Sequence, residues 1–285
     1  MYSGIDTTAQ YQKGAGLDAK LNNRADHGEA SYRGTGRLTG RKALITGGDS
    51  GIGAAVAIAF PREGADVVIS YLPDEQPDAD AILALIEQAG RKGVGIPGDI
   101  IDSAQCRILM ERAVAELGGL DILVNNAAKQ QHVENLTDLS DEQFDDTMKT
   151  KIYAAFWITK TALPHLRAGS TIINTSSNQA YTPSENLVDY ATTKAAVNTF
   201  SKALAGQLAP KGIRVNIVAP GPIWTPLQTA GGQVVEELPE LGQDTPIGRI
   251  GQPAELAPAY VFLASPESNY VIGETLSVNG GKPTP

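Results

Sequence analysis

A single cysteine, Cys106, is all the chain contains, so an internal disulfide is excluded. Its neighbours Gln105, Arg107 and Ile108 place it in a helical stretch with no chemistry attached. The three histidines, His27, His132 and His165, are scattered and suggest no metal cluster. Basic residues are outnumbered, 23 Lys and Arg against 32 Asp and Glu, and no Lys/Arg cluster offsets the net charge of -9. Nucleic acid is therefore excluded as a partner. No apolar run reaches the roughly 18 residues a membrane helix needs. The N-terminus also lacks a basic region followed by an apolar stretch, so no secretory signal is read there. These absences leave the cytoplasm as the expected location, with no membrane and no metal.

What the chain does have is alternation. Strand-like runs near 43–46, 66–71, 93–97, 121–124, 170–174, 213–219 and 275–278 are separated by helical patterns, which predicts an α/β protein whose parallel sheet is covered on both faces. A length of 285 residues is ordinary for one such domain. Residues 1–38 are rich in Gly, Asn, Asp and Gln and show no sustained periodicity. They read as a polar extension, lying along the surface or partly disordered, and not as a domain. The folded unit is then 39–285.

Thr46 to Gly53 spell Thr-Gly-Gly-Asp-Ser-Gly-Ile-Gly between the apolar run Ala43, Leu44, Ile45 and the helical run Ala54 to Phe60. Strand, glycine turn and helix are the context a dinucleotide fingerprint requires. Gly47 permits the tight turn, Gly51 lets a pyrophosphate approach the backbone, and Gly53 allows close packing of helix on strand. The helix start, with Asp49, Ser50 and Ile52 around it, presents free N–H groups to phosphates.

Far downstream, Tyr190 and Lys194 stand one helical turn apart. Residues at i and i+4 share a helix face, so an ammonium there lowers the pKa of the phenol by charge proximity. Such a phenol can pass a proton to or from an alcohol oxygen.

The glycine loop, the Asn-Asn-Ala-Ala run at Asn125 to Ala128, Ser177 thirteen residues before Tyr190, and Pro220-Gly221 after a strand occur in this order. Together they resemble the short-chain dehydrogenase/reductase family, over residues from about 40 to 280. The variant loop and the polar extension are most similar to bacterial oxidoreductases of the glucose/ribitol dehydrogenase type. The resemblance implies a single-domain Rossmann fold with a doubly wound, seven-stranded parallel sheet and the cofactor at the carboxyl ends of the strands. It also implies an NAD(P)-dependent oxidoreductase that interconverts an alcohol with an aldehyde or ketone by hydride transfer, a carbonyl reductase in the reductive direction. The partner is a small carbonyl or alcohol substrate. The assembly is a homo-oligomer, tetramer or dimer, paired through the helices carrying Phe144 to Leu166 and Tyr190 to Leu208.

Residue by residue, the resemblance makes Tyr190 the acid/base, Ser177 the group that orients the carbonyl oxygen, and Lys194 both the tuner of the phenol and a ligand of the nicotinamide ribose. Asn126, Ala127 and Ala128 pack against the adenosine. Asp99 and Ile100 make the adenine contact, with a helix cap before Ser103 as the other reading of Asp99. Pro220, Gly221, Ile223 and Thr225 bind the carboxamide. Where an acidic residue would hold the ribose hydroxyls of NAD, the second strand ends in Ser70 and Tyr71. The missing carboxylate favours NADP, although no Arg or Lys stands nearby and Asp49 tilts the other way, so NAD stays open. The Gly- and Pro-rich stretch from Trp224 to Gly251 reads as a substrate loop or lid.

Two positions depart from the family. Pro61 falls near the end of the first helix and removes a backbone donor there. Lys151 stands where the family has an asparagine that completes a catalytic tetrad through its main-chain carbonyl. A lysine retains that carbonyl but brings a second positive charge toward Lys194, handicapping the site. The alternative function is accordingly a cofactor-binding scaffold or redox sensor with weak turnover.

Overall fold

The computed structural model describes residues 7–284. Seven strands, β1 (Lys42–Thr46), β2 (Asp66–Tyr71), β3 (Gly93–Pro97), β4 (Ile122–Asn125), β5 (Thr171–Thr175), β6 (Arg214–Pro220) and β7 (Thr275–Val278), form one sheet. Their order is β3-β2-β1-β4-β5-β6-β7, and every pairing is parallel. Around the sheet run α1 (Gly51–Arg62), α2 (Gln76–Gln88), α3 (Ser103–Leu117), α4 (Asp141–Met148), α5 (Ala154–Ala162), α6 (Val188–Leu208) and α7 (Pro253–Ala264). Among the described residues no helix is long and apolar enough to cross a membrane.

Period-two alternation divides each central strand between two cores. In β1, Ala43 and Ile45 join the α1 and α7 side with Phe60, Leu256 and Tyr260, whereas Leu44 joins the α3, α5 and α6 side with Met110, Ile158 and Leu208. A sheet covered on both faces has no solvated side, which is why its strands read as continuous apolar runs. The strand order reverses at β1, which pairs with both β2 and β4. The crevice at their carboxyl ends is the place where such folds bind ligands.

Local departures have physical causes. α1 is buried from Ala54 to Pro61. Pro61 lies in its last turn, one residue before the end, so the missing N–H costs little of the helix. The helix expected over Phe144 to Leu166 is not continuous. A π-type turn at Lys149–Tyr153 separates α4 from α5, and a short 3₁₀ turn at Leu163–His165 ends it. Such π turns frequently occur at functional sites.

Residues 7–38 run along the body through specific contacts. Leu21 and Ala25 pack with Trp224, Leu238 and Ile250, and the Trp224 indole donates to the Asn23 carbonyl at 2.7 Å. Further along, the Glu63 carboxylate at the end of α1 is fully buried and accepts from Arg37, Tyr32 and the Thr35 amide.

Candidate active site

The glycine loop is built by close approach. Gly47 and Gly51 have φ of 61° and 51°, a left-handed region that a side chain resists. Gly47 N donates to the Ser70 carbonyl at 2.8 Å. A Cβ on Gly53 would lie 1.7 Å from the Gly47 carbonyl oxygen and 2.7 Å from Asn126 Nδ2. The Asn126 amide in turn donates to the carbonyls of Thr46 and Gly47 at 3.2 and 3.1 Å. The end of β4 is thereby stapled to the loop that follows β1.

These elements border a cavity of about 730 Å³. Of the residues that the sequence pointed to, all line it except Gly53, which supports the loop from behind, and Lys151. At one end stand Ser70, Tyr71, Asp49, Asp99 and Ile100. Asp49 is 2% exposed and its Oδ2 has no hydrogen-bond partner. Burial, with Glu75 nearby, raises its pKa well above the usual carboxylate range. Burial likewise raises Glu75, to about 7. Asp99 does not cap the next helix. Its carboxylate accepts from Ile101 N, and α3 is capped instead by Asp102, which accepts from Ala104 N at 2.8 Å.

At the other end Ser177, Tyr190 and Lys194 converge from the close of β5 and the first turns of α6. The Lys194 ammonium donates to the Thr175 carbonyl at 3.3 Å and sits 4.9 Å from the centre of the Tyr190 ring. Ser176 also lines the cavity, but its hydroxyl donates to the Lys194 carbonyl at 3.1 Å. The helix face is shared as the spacing predicts, but the phenol is not acidified. Burial pushes Tyr190 up to about 12, against an opposing pull from its hydrogen bond with Ser177. Burial also pushes Lys194 down to about 7. Desolvation, and not the charge proximity on which the sequence reading relied, sets the direction of the Tyr190 shift.

Lys151 does not line the cavity. Its side chain is 3% exposed and turns away from the cavity to three backbone carbonyls, those of Asn125, Asn126 and Ala127, at 3.2, 3.3 and 3.2 Å. The side chain therefore stands outside the cavity wall, while the main-chain carbonyl that the sequence reading assigned to the tetrad is untouched by this orientation. Like charge still counts, since burial first and Lys194 second lower its pKa well below the usual amine range.

Sequence reasoning missed the contribution of the extension. Tyr11, Gly14 and Ala15 line the cavity, and Gln12 holds the facing loop, its N–H donating to the Thr229 carbonyl at 2.8 Å and its amide to Thr229 Oγ1 at 3.2 Å. Nothing in a polar, aperiodic segment signals such backbone docking. A little further on, Asp18 Oδ2 accepts from Gly51 N at 2.7 Å, at the start of α1. His27 lies between Asp18 and Glu29, at 2.9 and 3.0 Å.

Burial alone would lower the His27 pKa, but the two carboxylates outweigh it and raise it from 6.5 to about 10. A raised histidine stabilises the fold fully below its unfolded value and loses that contribution as pH climbs through the folded one. Lys194 acts in the opposite sense, because its folded pKa of about 7 lies below 10.5. The expected result is therefore a difference: the stability gap between the unaltered chain and His27→Gln closes between about pH 6.5 and 10. Chemical denaturation at several pH values reads it, and a gap independent of pH would refute the pairing.

The chain is similar to known proteins over most of its length. A family model described as enoyl-(acyl carrier protein) reductase matches residues 47–282. The uncharacterized oxidoreductase YhxD of Bacillus subtilis (strain 168) is 54% identical over 278 residues, 96% of this chain and 93% of its own. A glucose and ribitol dehydrogenase of Daucus carota is 40% identical over 99% of this chain and 98% of its own. Among solved structures, a short chain dehydrogenase from Burkholderia cenocepacia J2315 in complex with NADP has a TM-score of 0.80 at 34% identity, covering 86% of this chain and 98% of that one.

Proposed function

This chain belongs to the short-chain dehydrogenase/reductase family, and on that premise we propose that it is an NADP-dependent oxidoreductase that reduces an aldehyde or ketone to the alcohol, and the reverse. The observation that carries the reading is the convergence of Ser177, Tyr190 and Lys194 on the cavity that the glycine loop closes at its other side. The residues present fit a dinucleotide. Gly53 leaves no room for a side chain against Gly47, α1 begins at the cavity wall, and the buried Asp49 Oδ2 lacks a donor that a ribose hydroxyl could supply. Gly47, Ser50 and Ile52 would hold the pyrophosphate beside Gly51, whose N–H is given to Asp18, and Ile223 and Thr225 the carboxamide.

The bound nicotinamide supplies or accepts the hydride. The chain supplies the rest. The Ser177 hydroxyl orients the substrate oxygen, and the Tyr190 phenol gives it a proton. With its pKa near 12, that phenol stays protonated at neutral pH, the state carbonyl reduction requires. Lys194 binds the ribose and offers the nearby positive charge. The scaffold reading has no observation in its favour, because the Lys151 ammonium is engaged outside the cavity wall. A spectrophotometric screen of carbonyl compounds with NADPH and NADH tests the proposal. Nucleotide binding without turnover of any carbonyl or alcohol would reject it.

The choice of NADP rests on the adenosine end. No lysine or arginine stands with Ser70, Tyr71 and Asp99 there; burial raises both Asp49 and Glu75, and Glu75, at about 7, carries less charge near neutrality to repel a 2′-phosphate. Ser70 closes β2 beside them. Ser70→Asp adds a carboxylate there and is expected to lower the NADPH to NADH ratio of kcat/KM by about 10-fold, the equivalent of ~1.4 kcal/mol. An unmoved ratio would place the ribose pocket elsewhere.

A further inference from the structure

Lys151 is the one buried residue of the π-type turn between α4 and α5. Its side chain ends on three consecutive carbonyls, Asn125, Asn126 and Ala127, at 3.2 to 3.3 Å. An ammonium has three donors and no acceptor, so donors and acceptors match in number. No carboxylate pairs with it among the described ion pairs. The opposite edge of the same peptides is held as well, since the N–H groups of Asn126 and Ala127 both donate to Thr46 Oγ1, at 3.0 and 3.1 Å. The chain leaving β4 is thus gripped from two sides, by a hydroxyl at the end of β1 and by an ammonium from the π turn. Asn126 and Ala127 line the cavity, and Ala127 Cα would lie 3.1 Å from a Cβ on Gly47. The grip therefore sets the separation between the β4 exit and the glycine loop.

We propose that Lys151 is a positioning residue of the nucleotide site: with Thr46 it clamps the peptides 125–127, and that clamp holds the adenosine and pyrophosphate half of the cavity in its binding shape. The proposal rests on the dinucleotide reading above. It reverses the expectation that this lysine handicaps the enzyme, because the buried donors satisfy carbonyls that an asparagine, two side-chain atoms shorter, would not reach together. The void beside Lys151, Thr46 and Ala127 is only about 10 Å³, at the lower limit for a water, so water is a poor substitute for the lost donors. Ser177, Tyr190 and Lys194 are anchored on β5 and α6 and not on the β4 exit. Loss of the clamp should consequently act on nucleotide binding more than on the chemical step.

The test compares the unaltered protein, Lys151→Met, Thr46→Val and the double variant in NADPH fluorescence titrations, with KM and kcat alongside. Lys151→Met keeps the length and removes every donor. It is expected to weaken NADPH by at least about 10-fold, the scale of a buried group left without its partner. KM for the nucleotide should rise by a larger factor than kcat falls. Thr46→Val should weaken NADPH in the same direction, and the double variant should lose less than the product of the two single losses, as residues gripping one segment do. A folded Lys151→Met whose NADPH affinity is within twofold of the unaltered protein would overturn the clamp. If that variant fails to fold, Thr46→Val decides alone, and unchanged NADPH binding by it would overturn the proposal equally. A fall in kcat with unchanged nucleotide affinity would show a catalytic role instead. Absence of NADPH binding by the unaltered protein would count against the dinucleotide reading itself.

Discussion

Tyr190→Phe is expected to lower kcat by at least ~10²-fold, the usual size of a general acid/base contribution, while nucleotide affinity barely changes. The variant keeps the ring, which is 7% exposed at the start of α6, and keeps the Lys194 ammonium 4.9 Å from the ring centre. Only the hydroxyl is lost, together with its hydrogen bond to Ser177. A selective loss of kcat therefore assigns the proton to the phenol, and near-normal turnover by the Phe variant would sink the mechanism. The direction of the reaction adds a second reading. Because burial holds Tyr190 at about 12 and Lys194 at about 7, carbonyl reduction finds its proton donor ready at neutral pH. Alcohol oxidation needs the ionised phenol, so it should quicken as pH rises.

The second large effect concerns binding. Gly53→Ala is expected to weaken NADPH by about 10- to 100-fold and to lower the melting temperature. A Cβ there would overlap the Gly47 carbonyl at 1.7 Å and press on Asn126 Nδ2 at 2.7 Å, and neither can give way cheaply. The first is backbone, and the second is tied to Thr46 and Gly47. Overpacking of this kind costs ~1–3 kcal/mol, a part of which appears as lost affinity at about 1.4 kcal/mol per decade. Calorimetric titration with NADPH and a thermal scan measure both parts. An alanine variant that binds and melts like the unaltered chain would mean that the loop is not held by this approach.

The loop, the strand runs and the Tyr190–Lys194 spacing were legible in the sequence because their causes are local. A left-handed turn demands glycine at Gly47 and Gly51. A strand covered on both sides demands an unbroken apolar run such as Ala43 to Ile45. One helical turn brings i and i+4 to the same face whatever surrounds them. The other cavity-lining positions, such as Asp99, Pro220 and Thr225, were named from the family resemblance and not from local geometry.

Whatever depended on burial was decided by the tertiary structure alone. Proximity of Lys194 to Tyr190 suggested an acidified phenol, yet desolvation raises it, and the extent of desolvation is set by strands and helices remote in sequence. Lys151 read as an intruding charge, but the π-type turn carries it to three carbonyls at the end of β4. Its partners lie about 25 residues earlier in the chain, beyond the reach of any local pattern. The extension read as a polar segment lying along the surface or partly disordered, and only the structure gives its partners: Gln12, Asp18 and His27 dock it on the loop near Thr229 and on the start of α1. Periodicity and glycine geometry act within a turn or a strand, whereas desolvation and hydrogen-bond partnership are properties of what the folded chain brings together.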